Sequence, residues 1–113
     1  MPQGLLAIAD GTARGRLARY LDCLGAWSKR INLTGADTPD MAFETLIRPI
    51  LGAEGYLSGP VIDVGSGNGS PALILASFRP DLEFVLLEPR AKRGYIRTMV
   101  AELRKDVPKV PRG

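Results

Sequence analysis

Apolar positions along the chain fall into blocks of two different periods. From about Arg16 to Ile31, apolar side chains recur at spacings of three and four: Leu17, Tyr20, Leu21, Leu24, Trp27 and Ile31. That spacing predicts one face of an amphipathic helix, with Trp27 as a core or inter-helix anchor. Asn32-Leu33-Thr34-Gly35 ends it. A second helix starts at Asp37-Thr38-Pro39-Asp40, where Thr38 or Asp37 caps and Pro39 takes the first turn. Its apolar face is Met41, Leu46, Ile47, Ile50 and Leu51, with Phe43 near the edge. Pro49 interrupts this face, so the helix is expected to end or kink at about Arg48. Gly52, Gly55 and Ser58-Gly59-Pro60 form the loop that follows.

The pattern then changes. Val61 to Val64 is a short branched run that predicts a strand, and a glycine-rich turn follows it. Pro71 to about Phe78 is a short helix, broken by Arg79-Pro80-Asp81. Leu82 to Leu87 is a second strand, mostly apolar, as in a parallel sheet covered on both faces. After Glu88-Pro89, another amphipathic helix is marked by Ala91, Tyr95, Ile96, Met99, Val100 and Leu103. Asp106 to Gly113, with Pro108 and Pro111, is a tail, at most the stump of a third strand. The expected fold class is α/β: a helical region over 1–59, then a βαβα region over 60–113, within one domain. A two-strand parallel sheet is marginal alone, so its open edge calls for a cover, and a second copy of the chain is one.

Composition narrows the chemistry. The 113 residues support one domain, and no run approaches the roughly eighteen apolar residues of a membrane span. Met1 to Asp10 has no basic start, so no signal peptide is expected and the cytoplasm is the expected location. Histidine is absent and Cys23 is the single cysteine. An internal disulfide, Cys-His zinc sites and histidine-based acid–base catalysis are therefore excluded, and no metal site is expected. Cys23 reads as a small buried hydrophobe. The net charge of +3 is uneven: from Arg90 onward eight basic residues face only Glu102 and Asp106. Such a segment suits nucleic acid, or is a solvated helix face.

The candidate chemistry lies in Asp63-Val64-Gly65-Ser66-Gly67-Asn68-Gly69, a D-x-G-x-G-x-G run at a strand end. Glycines permit positive φ and close approach of a ligand to the main chain, and N–H groups at a helix start favour a polar or anionic group. A dinucleotide fingerprint places its third glycine one position later, where Ser70 stands. About twenty residues on, the second strand ends in Glu88, where a carboxylate can accept from ribose hydroxyls. Asp63 and Glu88 are thus expected at the carboxyl ends of adjacent strands. The candidate cofactor-binding residues are Asp63, Gly65, Ser66, Gly67, Asn68, Gly69 and Glu88, although Ser66 and Asn68 also suit a plain turn and Asp63 a loop-ordering role.

Asp63 to Gly69 resembles motif I of S-adenosylmethionine-dependent methyltransferases, and Glu88 their ribose-binding acid. Three stretches together resemble a narrower group, the bacterial 16S ribosomal RNA guanine-N7 methyltransferases, also called glucose-inhibited division protein B. They are Trp27 through Asn32-Leu33-Thr34, Asp63 through Pro71, and Arg79-Pro80-Asp81-Leu82 through Glu88 with Lys92-Arg93. The likeness runs from about Arg16 to Leu103, about the first half of a family member. It implies a Rossmann-like domain behind a helical region, S-adenosylmethionine as cofactor, and methyl transfer to guanine N7 in small-subunit ribosomal RNA. It also implies an RNA grip through phosphates, with Arg48, Arg90, Lys92, Arg93 and Arg97 as candidates. No catalytic side chain is assigned.

The chain departs from the family pattern at several places. Arg48 is followed by Pro49 rather than histidine, Gly52 and Ala53 stand near an expected Asp-Ser, and Ala72 stands where glycine is favoured. Strands three to seven of the family have no counterpart before Gly113. Two other classes stay open: a non-catalytic module that binds the cofactor or self-associates, and a nucleotide-dependent enzyme of the NAD type.

Overall fold

The computed structural model describes residues 1–65 and 67–106. Helix α1 (Gly11–Ser28) begins where the Asp10 carboxylate accepts from the N–H groups of Thr12 and Ala13, at 3.0 and 3.1 Å. It therefore starts a turn and a half before the expected Arg16 and stops before Ile31, because the cap at Asp10 dictates the start more than the apolar stripe does. Leu17, Tyr20, Leu21 and Leu24 form its buried face as the spacing predicts, and Cys23 is buried beside them.

The second helical segment is not one regular helix. A short α2 (Pro39–Ala42) is capped by Thr38, whose hydroxyl accepts from Met41 N–H at 3.2 Å. A π turn (Phe43–Ile47) and a 3-10 turn (Arg48–Ile50) complete it. The change of winding coincides with Pro49, which has no N–H for the α-helical ladder. Phe43, expected near the edge, is 1% exposed, whereas Met41 and Leu51 face solvent. The cover on Phe43 is a 3-10 turn (Gln3–Ala7) absent from the sequence prediction. Gly4 lies so close to the Phe43 ring that an added Cβ would meet it at 2.1 Å.

Strand β1 (Val61–Val64), helix α3 (Ala72–Phe78), strand β2 (Phe84–Leu87) and helix α4 (Arg93–Leu103) follow in order. The strands pair in parallel, Val61 opposite Phe84 and Val64 opposite Leu87. β2 starts two residues later than the apolar run suggested, after a bend at Asp81–Leu82. Arg79 secures this corner: its guanidinium donates to the carbonyls of Glu54 and Leu57, at 3.0 and 3.3 Å, and pairs with Asp81. Helix α1 packs against both α3 and α4, and α3 packs on the two strands. One core joins all of these, with Tyr20, Phe43, Ile47, Ile74, Tyr95 and Met99 among its members.

The expectation of a sheet covered on both faces fails. Val61, Asp63, Phe84 and Leu86 turn toward the helices, while Ile62, Val64, Val85 and Leu87 stay 37–73% exposed. All described helices that touch the sheet lie on one side, so among the described residues the alternate apolar side chains are left uncovered. The tail expected over 107–113, with its stump of a third strand, lies outside the described residues.

Candidate cofactor loop

The parallel register carries both strand ends to one place. Gly65 N–H donates to Leu87 O at 2.9 Å, extending the ladder by one bond before the chain turns. Gly65, Gly67 and Gly69 then have φ of +72°, +77° and +90°, values that residues with a Cβ rarely adopt. Ser66 lies outside the described residues. Gly67 N–H donates to both carboxylate oxygens of Glu88, at 3.2 and 3.1 Å. Through this bond the strand-end carboxylate of Glu88 shapes the loop. The Asn68 side chain accepts from Ser70 N–H at 2.9 Å, and Gly69 O accepts from Leu73 N–H at 2.7 Å, which leads into α3.

Three more side chains converge on this loop. The hydroxyls of Tyr20 and Tyr95 both donate to the Asn68 carbonyl, at 3.0 and 2.6 Å. Burial pushes both phenols above their ordinary range; Tyr20 is raised further by Cys23, and Tyr95 by Tyr20, Cys23 and Glu88. Lys92 donates to Asn32 O at 3.4 Å, and its Nζ would lie 2.8 Å from a Cβ added at Gly67. Lys92, sixty residues beyond Asn32, thereby links the Asn32-Leu33-Thr34 segment to the neighbourhood of Gly67.

Asp63 projects from β1 to the helix side, and its Oδ2 is buried with no hydrogen-bond partner among the described residues. A buried carboxylate oxygen without a donor is costly. Glycine backbone that admits close approach, an unsatisfied carboxylate oxygen and a second carboxylate at the adjacent strand end together fit a polar, nucleoside-like ligand. An open groove lined by Leu86, Leu87, Glu88, Arg93, Ile96 and Arg97 runs beside Glu88. Among the described residues, no group of three or more acidic, cysteine or histidine side chains is arranged to hold a metal ion.

The candidates fall into two sets. Asp63, Gly65, Gly67, Asn68, Gly69 and Glu88 are brought together at the strand ends. Of the basic candidates, Arg90, Arg93 and Arg97 are exposed around α4, whereas Lys92 is half-buried and folded onto the loop. Arg48 stands elsewhere: it is bonded to Glu44, at 2.9 Å for one pair, and lies over the Phe43 ring at 5.3 Å. Sequence reasoning took Tyr20 and Tyr95 only as core residues. The missed signal is chemical, because a phenol buried in an apolar face needs an acceptor for its O–H.

Comparison with known proteins agrees along most of the chain. The family model for rRNA small subunit methyltransferase G matches residues 14–110. Ribosomal RNA small subunit methyltransferase G of Mannheimia succiniciproducens is 40% identical over 108 residues, covering 91% of this chain and 49% of the relative. Its counterpart in Cronobacter sakazakii is 39% identical over 98 residues, covering 82% and 46%. The Shewanella denitrificans protein is 40% identical over 81 residues, covering 71% and 39%. The chain thus spans about half the length of the curated relatives it matches. No solved structure matches it. With the family model covering the helices, both strands and the glycine loop, the chain belongs to the rRNA small subunit methyltransferase G family.

Proposed function

We propose that this chain forms the cofactor-binding part of a 16S ribosomal RNA guanine-N7 methyltransferase. In this reading a helical region (1–59) supports a Rossmann-like βαβα region (60–113) that binds S-adenosylmethionine. The observation that carries it is the meeting of Glu88, the Gly67 N–H and the unsatisfied Asp63 Oδ2 at the carboxyl ends of two parallel strands. Open α/β sheets bind ligands at that place.

Glu88 would accept from the ribose hydroxyls, and Gly65, Gly67 and Gly69 would let the cofactor lie against the backbone, with Ser66 between them in the motif. Asn68 holds the turn through its bond to Ser70 N–H, and Asp63 accepts a polar group at the loop's inner side. The bound cofactor supplies a methyl group already activated on a sulfonium. Guanine N7 carries a lone pair and no proton, so the transfer needs no general base. The chain's part is to hold the methyl group in line with the nucleophile and to exclude water. Arg90, Arg93 and Arg97 reach RNA phosphates from the outer side of α4, and Arg48 adds a contact from the helical region. A ribosomal RNA target sets the cytoplasm as the place of action, and no described helix is long and apolar enough to cross a membrane.

The bare sheet favours a second element in the proposal: a further copy of the chain covers Ile62, Val64, Val85 and Leu87, and with them the open sheet edge.

Calorimetry with S-adenosylmethionine and with NAD, followed by methyl transfer to small subunits lacking the modification, tests the reading. Binding of S-adenosylmethionine alone and label in 16S RNA are expected. Cofactor binding without any incorporation would leave a non-catalytic module, and binding of NAD instead would overturn the assignment.

A further inference from the structure

We infer that Tyr20 and Tyr95 are positioning residues for the cofactor loop, holding the Asn68–Gly69 peptide in the one orientation that presents its N–H to the ligand side. The inference rests on the cofactor reading above and assigns a role to two residues outside the motif.

Both phenols are fully buried, and they come from helices far apart in the chain, α1 and α4. Each donates to the same acceptor, the Asn68 carbonyl, at 3.0 and 2.6 Å. A carbonyl oxygen has two lone pairs, and here both are taken by O–H donors from the core side. The peptide is planar and trans, so its N–H points opposite to its C=O. Fixing the Asn68 oxygen toward the two rings therefore aims the Gly69 N–H away from them, toward the outer side of the loop.

Free rotation of this peptide is the problem the clamp solves. Gly69 supplies one of its two flanking backbone torsions, at φ +90°, and Gly67 at φ +77° stands just before Asn68; glycine backbone has low barriers to alternative conformations. A flipped Asn68–Gly69 peptide would turn a carbonyl oxygen toward the ligand and bury an N–H against two donors. With both hydroxyls in place, that alternative leaves two buried O–H groups without an acceptor. The rings are themselves held: Trp27 meets Tyr95 edge-on at 6.0 Å between centroids, and Tyr20 Cε2 would lie 3.4 Å from a Cβ added at Gly69. The helical region thereby contributes to the cofactor site through α1, without any side chain of the glycine motif.

The test compares Tyr20→Phe, Tyr95→Phe and the double variant with Ile47→Val, a buried change in the other helical segment chosen to cost similar stability. Each single variant is expected to weaken S-adenosylmethionine binding about fivefold, and the double variant about 25-fold, from the usual net value of one hydrogen bond each. Ile47→Val should lower the melting temperature and leave affinity unchanged. In the ligand-free protein, relaxation dispersion should show microsecond-to-millisecond exchange at the Gly67 and Gly69 amides in the double variant only. Wild-type affinity in the double variant, or equal losses in Ile47→Val, overturns the clamp. If the wild-type chain does not bind the cofactor, the methyl-donor reading fails, and quiet Gly67 and Gly69 amides in the double variant then overturn the clamp separately.

Discussion

At the residue scale, Gly67 and Gly69 of the loop are required for different reasons. At Gly69 an added Cβ would meet Leu73 Cδ1 at 2.9 Å with φ at +90°, so backbone strain and crowding add together. At Gly67 the nearest atom is the mobile end of Lys92, at 2.8 Å, so strain at φ +77° is the main cost. Gly69→Ala should therefore destabilise by about 2 kcal/mol and Gly67→Ala by about 1 kcal/mol, on the cost of left-handed backbone for a residue with a Cβ. Thermal unfolding followed by circular dichroism checks the ranking; an equal or reversed order contradicts it. Glu88→Gln keeps the shape but loses the charge, and hydrogen bonds to charged groups are worth about 1.5–3 kcal/mol, so cofactor affinity should fall at least tenfold. Calorimetry on the two proteins checks this. The sequence made these residues legible because glycine spacing and a strand-end acid are local patterns. Tyr20 and Tyr95 were not legible as loop contacts, since Asn68 lies 48 and 27 residues away, nor was the bond from Lys92 to Asn32, 60 residues away.

At the scale of elements, α1 is the piece on which the others are assembled. Its apolar face was readable from a spacing of three and four, and so were both strands and α4. Its true start was set by one capping carboxylate, and the 3-10 turn over Phe43 had too few residues to show a period. The polar side of α1 also has a structural task. Arg16, itself largely buried, donates to Asp106 at 3.1 Å and to Ser77 O at 3.0 Å, and Arg19 pairs with the same carboxylate at 3.1 Å. Partial burial works against ionisation of Asp106, but the Arg16 hydrogen bond and the charges of Arg16 and Arg19 outweigh it. The carboxyl is held below its ordinary range. A carboxyl depressed in the folded state stabilises above its unfolded pKa and loses that contribution as pH falls through the folded value. Asp106→Asn should thus melt lower than the wild type at pH 7, with the gap closing below about pH 4, where the carboxyl of the unfolded chain is protonated. Melting curves between pH 3 and pH 8 test it; a gap that persists at the acid end contradicts the ion-pair account.

At the scale of the whole molecule, the dominant feature among the described residues is the exposed apolar face of the sheet. The apolar run of β2 read as a strand of a parallel sheet covered on both faces. Here Ile62 and Val64 are 65% and 73% exposed, although their chemistry is that of a core. A self-associating chain should show a sedimentation coefficient that rises with concentration, and Val64→Glu should abolish the rise by placing a charge in the contact. A wild type that stays monomeric throughout the range contradicts self-association through this face. The candidate RNA contacts fall in two places: Arg93 and Arg97 of α4 line the groove at Glu88, while Arg48 belongs to a separate segment.

The claim at the centre of this account is that the glycine loop and Glu88 form the S-adenosylmethionine site. Titration of the cofactor into the isotopically labelled chain, followed residue by residue through amide chemical shifts, tests it most directly. The largest shifts are expected at Gly65, Gly67, Gly69 and Glu88, with smaller ones at Asp63 and Lys92 and none around Arg48. Shifts centred instead on the separate pocket between Arg16, Phe84 and Arg104, or no saturable shifts at all, would contradict it.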